Sequence, residues 1–290
     1  MLVTAAAGFV VAPIELVDWS KLGWMVIGTG LCAASAAMLN QLIEARSDSL
    51  MTRTQARPMP QRRFPPALVF AAALVVAYAG GSVLIASAGW LPAALAAGNV
   101  LIYAAVYTPL KRWTTLNTLV GAVCGAIPPM VGWSAATGAL GAGAWILGGI
   151  LFVWQLPHFL ALAWMYREDY ARGGFEMLSV RDLDGRVTAQ VALLTSLTLV
   201  PLSLSAVIYG VAGWWYAGTA LALGAWMSVE SARFLLARTD QRARRLFLAS
   251  IAFLPLLLIA MVADRVPASA AAAARGGSSV IEADRPMEAQ

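Results

Sequence analysis

Long apolar runs alternate with short polar segments from one end of the chain to the other. The runs cover residues 22–39, 67–87, 91–110, 117–135, 144–165, 187–209, 214–235 and 246–263. Each is close to the roughly 20 residues that a helix needs to cross a bilayer. A backbone in lipid must satisfy its own N–H and C=O groups, so such runs fold as helices or as strands of a closed barrel. Barrel strands alternate apolar and polar positions, and these runs do not. The pattern predicts an all-α, polytopic transmembrane helix bundle of about eight complete spans. A shorter apolar stretch at 1–13 reads as a truncated first span, with a shortened or mis-assigned start at Met1. It lacks a basic flank and does not read as a signal peptide.

Composition strengthens this picture. Of 290 residues, 60% are hydrophobic and 12% charged, against roughly 25% charged in soluble domains. The net charge of +5 would suit nucleic acid in a soluble protein, but in a membrane bundle basic residues set orientation, and no nucleic-acid partner is expected. Of the 20 Lys and Arg residues, all but Lys21, Arg265, Arg275 and Arg285 lie in segments 41–66, 111–112, 167–186 and 237–245, or at Arg233. These segments alternate strictly with poorly charged ones. The positive-inside rule then puts the basic set in the cytoplasm and the C-terminal tail outside. Residues 1–265 form one transmembrane domain, and 266–290, rich in Ala, Gly and charge, read as a disordered tail. Cys32 and Cys124 lie inside apolar runs without metal-ligand spacing.

Candidate chemistry concentrates in the basic segments. The first reads N-x3-E-x3-D-x4-R-x3-R from Asn40 to Arg57. Asn40, Glu44 and Asp48 are four apart and share one helix face. Oxygen ligands of this kind suit Mg²⁺, which keeps part of its shell for water and substrate phosphates. Arg53 and Arg57 follow on the same side and can clamp phosphate oxygens. Mutual ion pairing in a solvated loop is the ordinary reading of such mixtures, and the ordered spacing at a membrane boundary argues against it. A second segment carries Trp154, Gln155 and His158 inside a span, then Tyr166, Arg167, Glu168, Asp169, Tyr170 and Arg172 beyond it. Asp169 supplies another carboxylate at the same face of the membrane. His158, the one histidine, is either a satisfied core residue or a functional group at membrane depth. A third element, Tyr107 to Arg112, offers Lys111 and Arg112 as interfacial anchors or anion ligands. Asn117 and Pro128-Pro129 with Gly132-Trp133 mark a broken or kinked helix that either packs or lines a site.

At these residues the chain resembles the heme O synthases (protoheme IX farnesyltransferases), a branch of the intramembrane, UbiA-type prenyltransferase superfamily. The resemblance runs from about residue 5 to residue 263. It rests on N-x3-E-x3-D-x2-M-x-R-T-x2-R-P at 40–58, Y-T-x-L-K-R-x-T at 107–114 and G-A-x-P-P-x-x-G-W at 125–133. W-Q-x-P-H-F at 154–159 and R-E-D-Y-x-R-G-G at 167–174 complete it. The resemblance implies a UbiA-type bundle in the cell inner membrane, with its site loops cytoplasmic. It implies transfer of a farnesyl group from farnesyl diphosphate to the 2-vinyl group of protoheme IX (heme b), with addition of water. The product, heme O, would serve heme-copper oxidase biogenesis, with heme A synthase as a downstream partner. By the same resemblance Asn40, Glu44 and Asp48 hold Mg²⁺ and the diphosphate, and Asp169 joins Glu44 and Asp48 as a metal ligand. Arg53, Arg57, Lys111 and Arg112 neutralise the phosphates. Trp154, Gln155 and His158 contact the porphyrin, and Tyr107, Tyr166, Tyr170 and Asn117 belong to the surrounding site.

The chain departs from the family pattern in three places. Glu44 stands where Asp is usual, the second acidic segment has Asp169 with only Glu176 and Asp182 as weaker companions, and a basic Lys-Pro-Arg start is missing. The acidic segment alone would equally suit prenylation of a quinone precursor; the W-Q-x-P-H-F and K-R motifs favour heme. A transporter would carry ionisable residues at mid-span, whereas nearly all acids here lie at span ends.

Overall fold

A computed structural model of the chain describes residues 1–266. The expected C-terminal tail, apart from Val266, lies outside these residues. The described part is helical throughout, with one isolated bridge between Ala212 and Arg265. Its helices are α1 (Leu2–Val11), α2 (Trp19–Asp48), α3 (Pro66–Ala88), α4 (Trp90–Leu110), α5 (Asn117–Thr137) and α6 (Ala142–Met165). The short helices α7 (Arg167–Arg172) and α8 (Leu178–Arg181) precede α9 (Arg186–Ile208), α10 (Trp214–Ala237) and α11 (Asp240–Ala263). Eight of these are long and apolar enough to cross a membrane. The α1 helix is shorter and packs on α5.

Two sub-bundles share the α5–α6 seam. In one, α2, α3, α4 and α5 follow one another round a core that includes Phe9, Met25, Leu84 and Val131. In the other, α6, α9, α10 and α11 surround Leu147, Ile150, Tyr216, Met227, Phe253 and Leu257. Lipid offers helices little hydrophobic reason to associate, so close backbone approach matters. Gly28 and Gly80 supply it between α2 and α3: a Cβ on Gly80 would meet the Gly28 carbonyl oxygen at 2.8 Å. Only Gly89 separates α3 from α4, and its φ of +95° is one that side chains resist.

Several expectations need correction. The helix does not end with the apolar run at residue 39, because α2 continues through Asp48 and carries the first part of the polar segment. Its last turns stay helical because Asn40, Glu44 and Asp48 find buried partners on neighbouring elements. The Pro128-Pro129 pair does not break α5, which runs on to Thr137. The motif packs through Gly132, which admits the Ala5 carbonyl of α1, and Trp133, which lies over Gly143 of α6, while Pro128 lines a cavity. At the opposite end from the polar loops, Asp264 accepts from the Tyr216 amide at 2.8 Å and so caps α10 from another helix.

Candidate active site

Three polar segments meet at one end of the bundle. A small core of Met51, Ala163, Phe175 and Met177 anchors the first to the second. Thr54 Oγ1 donates to the Asp48 carbonyl at 3.0 Å and turns the chain sharply after α2. The third segment is tied down through Asn117, whose Nδ2 donates to the carbonyls of Thr114 at 2.7 Å and Glu176 at 2.9 Å. The Glu176 amide in turn donates to the Lys111 carbonyl at 2.7 Å.

A proline sets the local shape of α4. Pro109 has no N–H and crowds the preceding turn, and residues 102–107 widen into a π-helix. The Thr108 amide bonds back to the Tyr103 carbonyl, and Thr108 Oγ1 donates to the same oxygen at 2.7 Å. That leaves the hydroxyl free to accept from Asn40 Nδ2 at 3.1 Å. The widened turn also lays the Tyr107 ring on Gly121, where a Cβ would come within 2.7 Å of it.

Asn40, Glu44 and Asp48 are all buried along one face of α2. Glu44 Oε1 lies 2.8 Å from Lys111 Nζ, and Asp48 Oδ2 lies 2.9 Å from Arg57 Nη1. The Lys111 ammonium also sits 4.5 Å from the Tyr107 ring centroid and 5.7 Å from that of Phe175. Asp169 pairs with Arg172 and accepts from the amides of Thr52 at 2.9 Å and Arg53 at 3.2 Å. Burial pushes the Asp169 carboxyl up, but the Thr52 amide, Arg172 and the Arg53 amide together hold it below its usual value. Of the weaker acidic companions, Glu176 pairs with Arg181, and Asp182 accepts from the Thr188 amide at 2.6 Å.

Arg53 and Arg57 do not share a side as the spacing suggested, because the chain leaves the helix after Asp48. Arg57 folds back onto that acid. Arg53 instead lies over Tyr166 and Tyr170, 5.4 and 5.8 Å from their centroids. Arg112 reaches the Ile43 carbonyl at 3.4 Å. The three carboxylates do not form a ready cluster either. Each has its own base, and among the described residues no three of His, Cys, Asp and Glu gather to hold a metal. Several buried polar atoms lack a hydrogen-bond partner, and on the acidic face Asp48 Oδ1 is one of them. A buried carboxylate oxygen left open is costly, and a hard cation would suit it.

Trp154, Gln155 and His158 sit elsewhere on α6, each engaged in helix contacts. Trp154 Nε1 donates to the Ser250 carbonyl at 2.8 Å, and His158 Nδ1 is 2.8 Å from Ser250 Oγ. The imidazole is stacked between Trp154 and Phe247, at 5.1 and 4.8 Å. Gln155 Nε2 donates to the Leu151 carbonyl at 2.8 Å and the Ala122 carbonyl at 3.4 Å, its amide lying over Gly125. Sequence reasoning missed Phe175 and Ser250, which carry no charge and no motif of their own, and gave Thr108 no role although its motif was read.

The chain matches the UbiA prenyltransferase family over residues 1–257. It is 42% identical over 264 residues to the mitochondrial protoheme IX farnesyltransferase of Homo sapiens, covering 91% of this chain and 59% of that protein. It thus spans about three fifths of the human relative's length. With the protoheme IX farnesyltransferase of Salinibacter ruber it shares 42% identity over 261 residues, 90% of this chain and 92% of the other. Its fold is similar to that of a UbiA homolog from Archaeoglobus fulgidus bound to GPP and Mg²⁺, with a TM-score of 0.63. That likeness covers 90% of this chain and 94% of the other at 13% identity.

Proposed function

The chain belongs to the UbiA prenyltransferase family, and we propose that it transfers a farnesyl group from farnesyl diphosphate to the 2-vinyl group of protoheme IX, with addition of water, to give heme O. The observation that carries this reading is the buried acidic face of α2 set among bases at a membrane boundary. It would hold a diphosphate beside the bilayer in which its prenyl chain dissolves. The site loops would face the cytoplasm from the inner membrane, and heme O would pass to heme A synthase.

Asn40, Glu44 and Asp48 would hold Mg²⁺, and the open Oδ1 of Asp48 is the atom that best fits it. A bound Mg²⁺ draws negative charge off the departing diphosphate. Asp169 completes the ligand set only if Arg172 releases it. Lys111 and Arg57 stand beside the acidic face and would take up phosphate charge as Glu44 and Asp48 turn from them to Mg²⁺. Arg53 adds a guanidinium with no paired carboxylate among the described residues, oriented by two tyrosines. Asn117 positions Lys111 by tying its segment to Glu176. As the C1–O bond of the donor breaks, C1 bonds to the terminal vinyl carbon and water adds to the inner one. One proton of the water ends on the diphosphate.

The direct test incubates membranes containing the protein with hemin, farnesyl diphosphate and Mg²⁺ and separates the extracted hemes. A later-eluting heme, heavier by one farnesyl group and one water, is expected. Folded protein that leaves protoheme unchanged would refute the reading.

A further inference from the structure

Asn99 is a lone amide inside the apolar part of α4. It is only 7% exposed, and its Oδ1 is buried without a hydrogen-bond partner. The residue lines a cavity of about 130 Å³ between α2, α4 and α5, walled largely by alanines such as Ala33, Ala36 and Ala37. Along α4 this cavity lies about two turns from the acidic site, since Asn99 precedes Tyr107 by eight residues, about 12 Å of helix. Ala33 and Ala37 continue toward the bundle centre the α2 face that carries Asn40 and Glu44. Tyr103, one turn from Asn99, lines the cavity, and its ring is 5.2 Å from that of Tyr107. Tyr107 is the ring that carries Lys111.

An apolar cavity of this size would stay dry, but an unbonded amide oxygen in its wall changes that balance. Each buried water takes roughly 10–15 Å³ of such space and needs two or more polar partners. Thr29, Cys32 and Tyr103 also bring polar atoms to this wall, which Met1 lines as well, and Thr29 Oγ1 donates to Met25 Sδ at 3.6 Å. The volume and the open acceptor together favour water.

We propose that Asn99 is a positioning residue that holds the water added to the vinyl group, an inference that rests on the farnesyl-transfer reading. When C1 of the farnesyl group bonds to the terminal vinyl carbon, the inner vinyl carbon is left cationic. The Asn99 oxygen accepts one hydrogen of the water and turns its lone pair toward that carbon. The C–O bond forms, and the water's proton passes to the diphosphate. A cation that meets no water instead loses a proton from the adjacent carbon, giving a farnesylated heme lighter by one water.

Mass spectrometry of the heme products separates these outcomes. In Asn99→Leu the ratio of dehydrated to hydrated product should rise about tenfold, the effect of one hydrogen bond. Asn99→Ser, which keeps an oxygen, should bring the hydrated product back. Wild-type proportions in Asn99→Leu would overturn the proposal. So would loss of all turnover in both variants at wild-type thermal stability, which would assign Asn99 to an earlier step. If Asn99→Leu fails to fold, Asn99→Ala carries the same test with a side chain that leaves the cavity open. A wild-type protein that makes no farnesylated heme would refute the function itself, whereas wild-type proportions from Asn99→Leu refute only the water site.

Discussion

Two polar constellations are buried in this bundle, and they differ in how fully their hydrogen bonds are met. On the acidic face of α2, Asp48 Oδ1 is left open, and in the cavity between α2, α4 and α5 so is Asn99 Oδ1. On α6, the Trp154 indole, the His158 Nδ1 and the Gln155 amide nitrogen all have partners on neighbouring turns or helices. As strings of letters the two are equally conspicuous. The difference teaches that a polar motif closed on itself holds helices together, whereas one with unmet acceptors among charged partners awaits something from outside.

The contrast is open to direct attack. The largest effect is expected for Asp48→Ala, which should lower turnover in the heme assay by at least about 10²–10³-fold, the scale of a lost electrostatic stabiliser. Activity within tenfold of wild type would mean that the open oxygen is not where the reaction's charge is managed. Next comes Lys111→Met, which strands Glu44 in a buried position. Breaking such a pair costs about 3–5 kcal/mol, read as a lower melting temperature in detergent together with a higher KM for farnesyl diphosphate. An unchanged melt would show that the Glu44–Lys111 pair does not form.

The α6 constellation should respond as packing does. Gly125→Ala forces a methyl into the Gln155 amide, and overpacking of this kind costs about 1–3 kcal/mol. Melting temperature should fall while turnover per folded molecule holds; the reverse pattern would mark Gln155 as part of the site. The smallest effect is expected for His158→Phe, which keeps the stacked ring between Trp154 and Phe247. Ser250 Oγ still donates to the Phe247 carbonyl, so the loss should stay near or below about 1 kcal/mol. A tenfold rise in KM for hemin would instead make the aromatic stack a porphyrin contact and erase the contrast.

Much of the candidate site was legible beforehand because its signals are periodic. Four-residue spacing put Asn40, Glu44 and Asp48 on one face, and they are buried there together. The same logic failed for Arg53 and Arg57, since spacing predicts a shared side only while a helix lasts. Asn99 was visible as a single polar letter in an apolar run. Nothing local distinguishes an asparagine that bonds across helices from one whose oxygen is left open. The pairings Glu44–Lys111 and Asp169–Thr52 join residues far apart in sequence, and no local pattern encodes them.

By itself, then, the sequence determined the helical bundle, its span count and the acidic face, because these follow from hydrophobic length and helical period. The tertiary structure alone decided which base answers which acid, and which partners Trp154, Gln155 and His158 meet between helices. It also decided that Asp48 Oδ1 and Asn99 Oδ1 are among the buried oxygens left open. Those outcomes depend on which helices become neighbours and how closely they approach. Burial then makes each hydrogen bond, met or unmet, matter far more than it would in water.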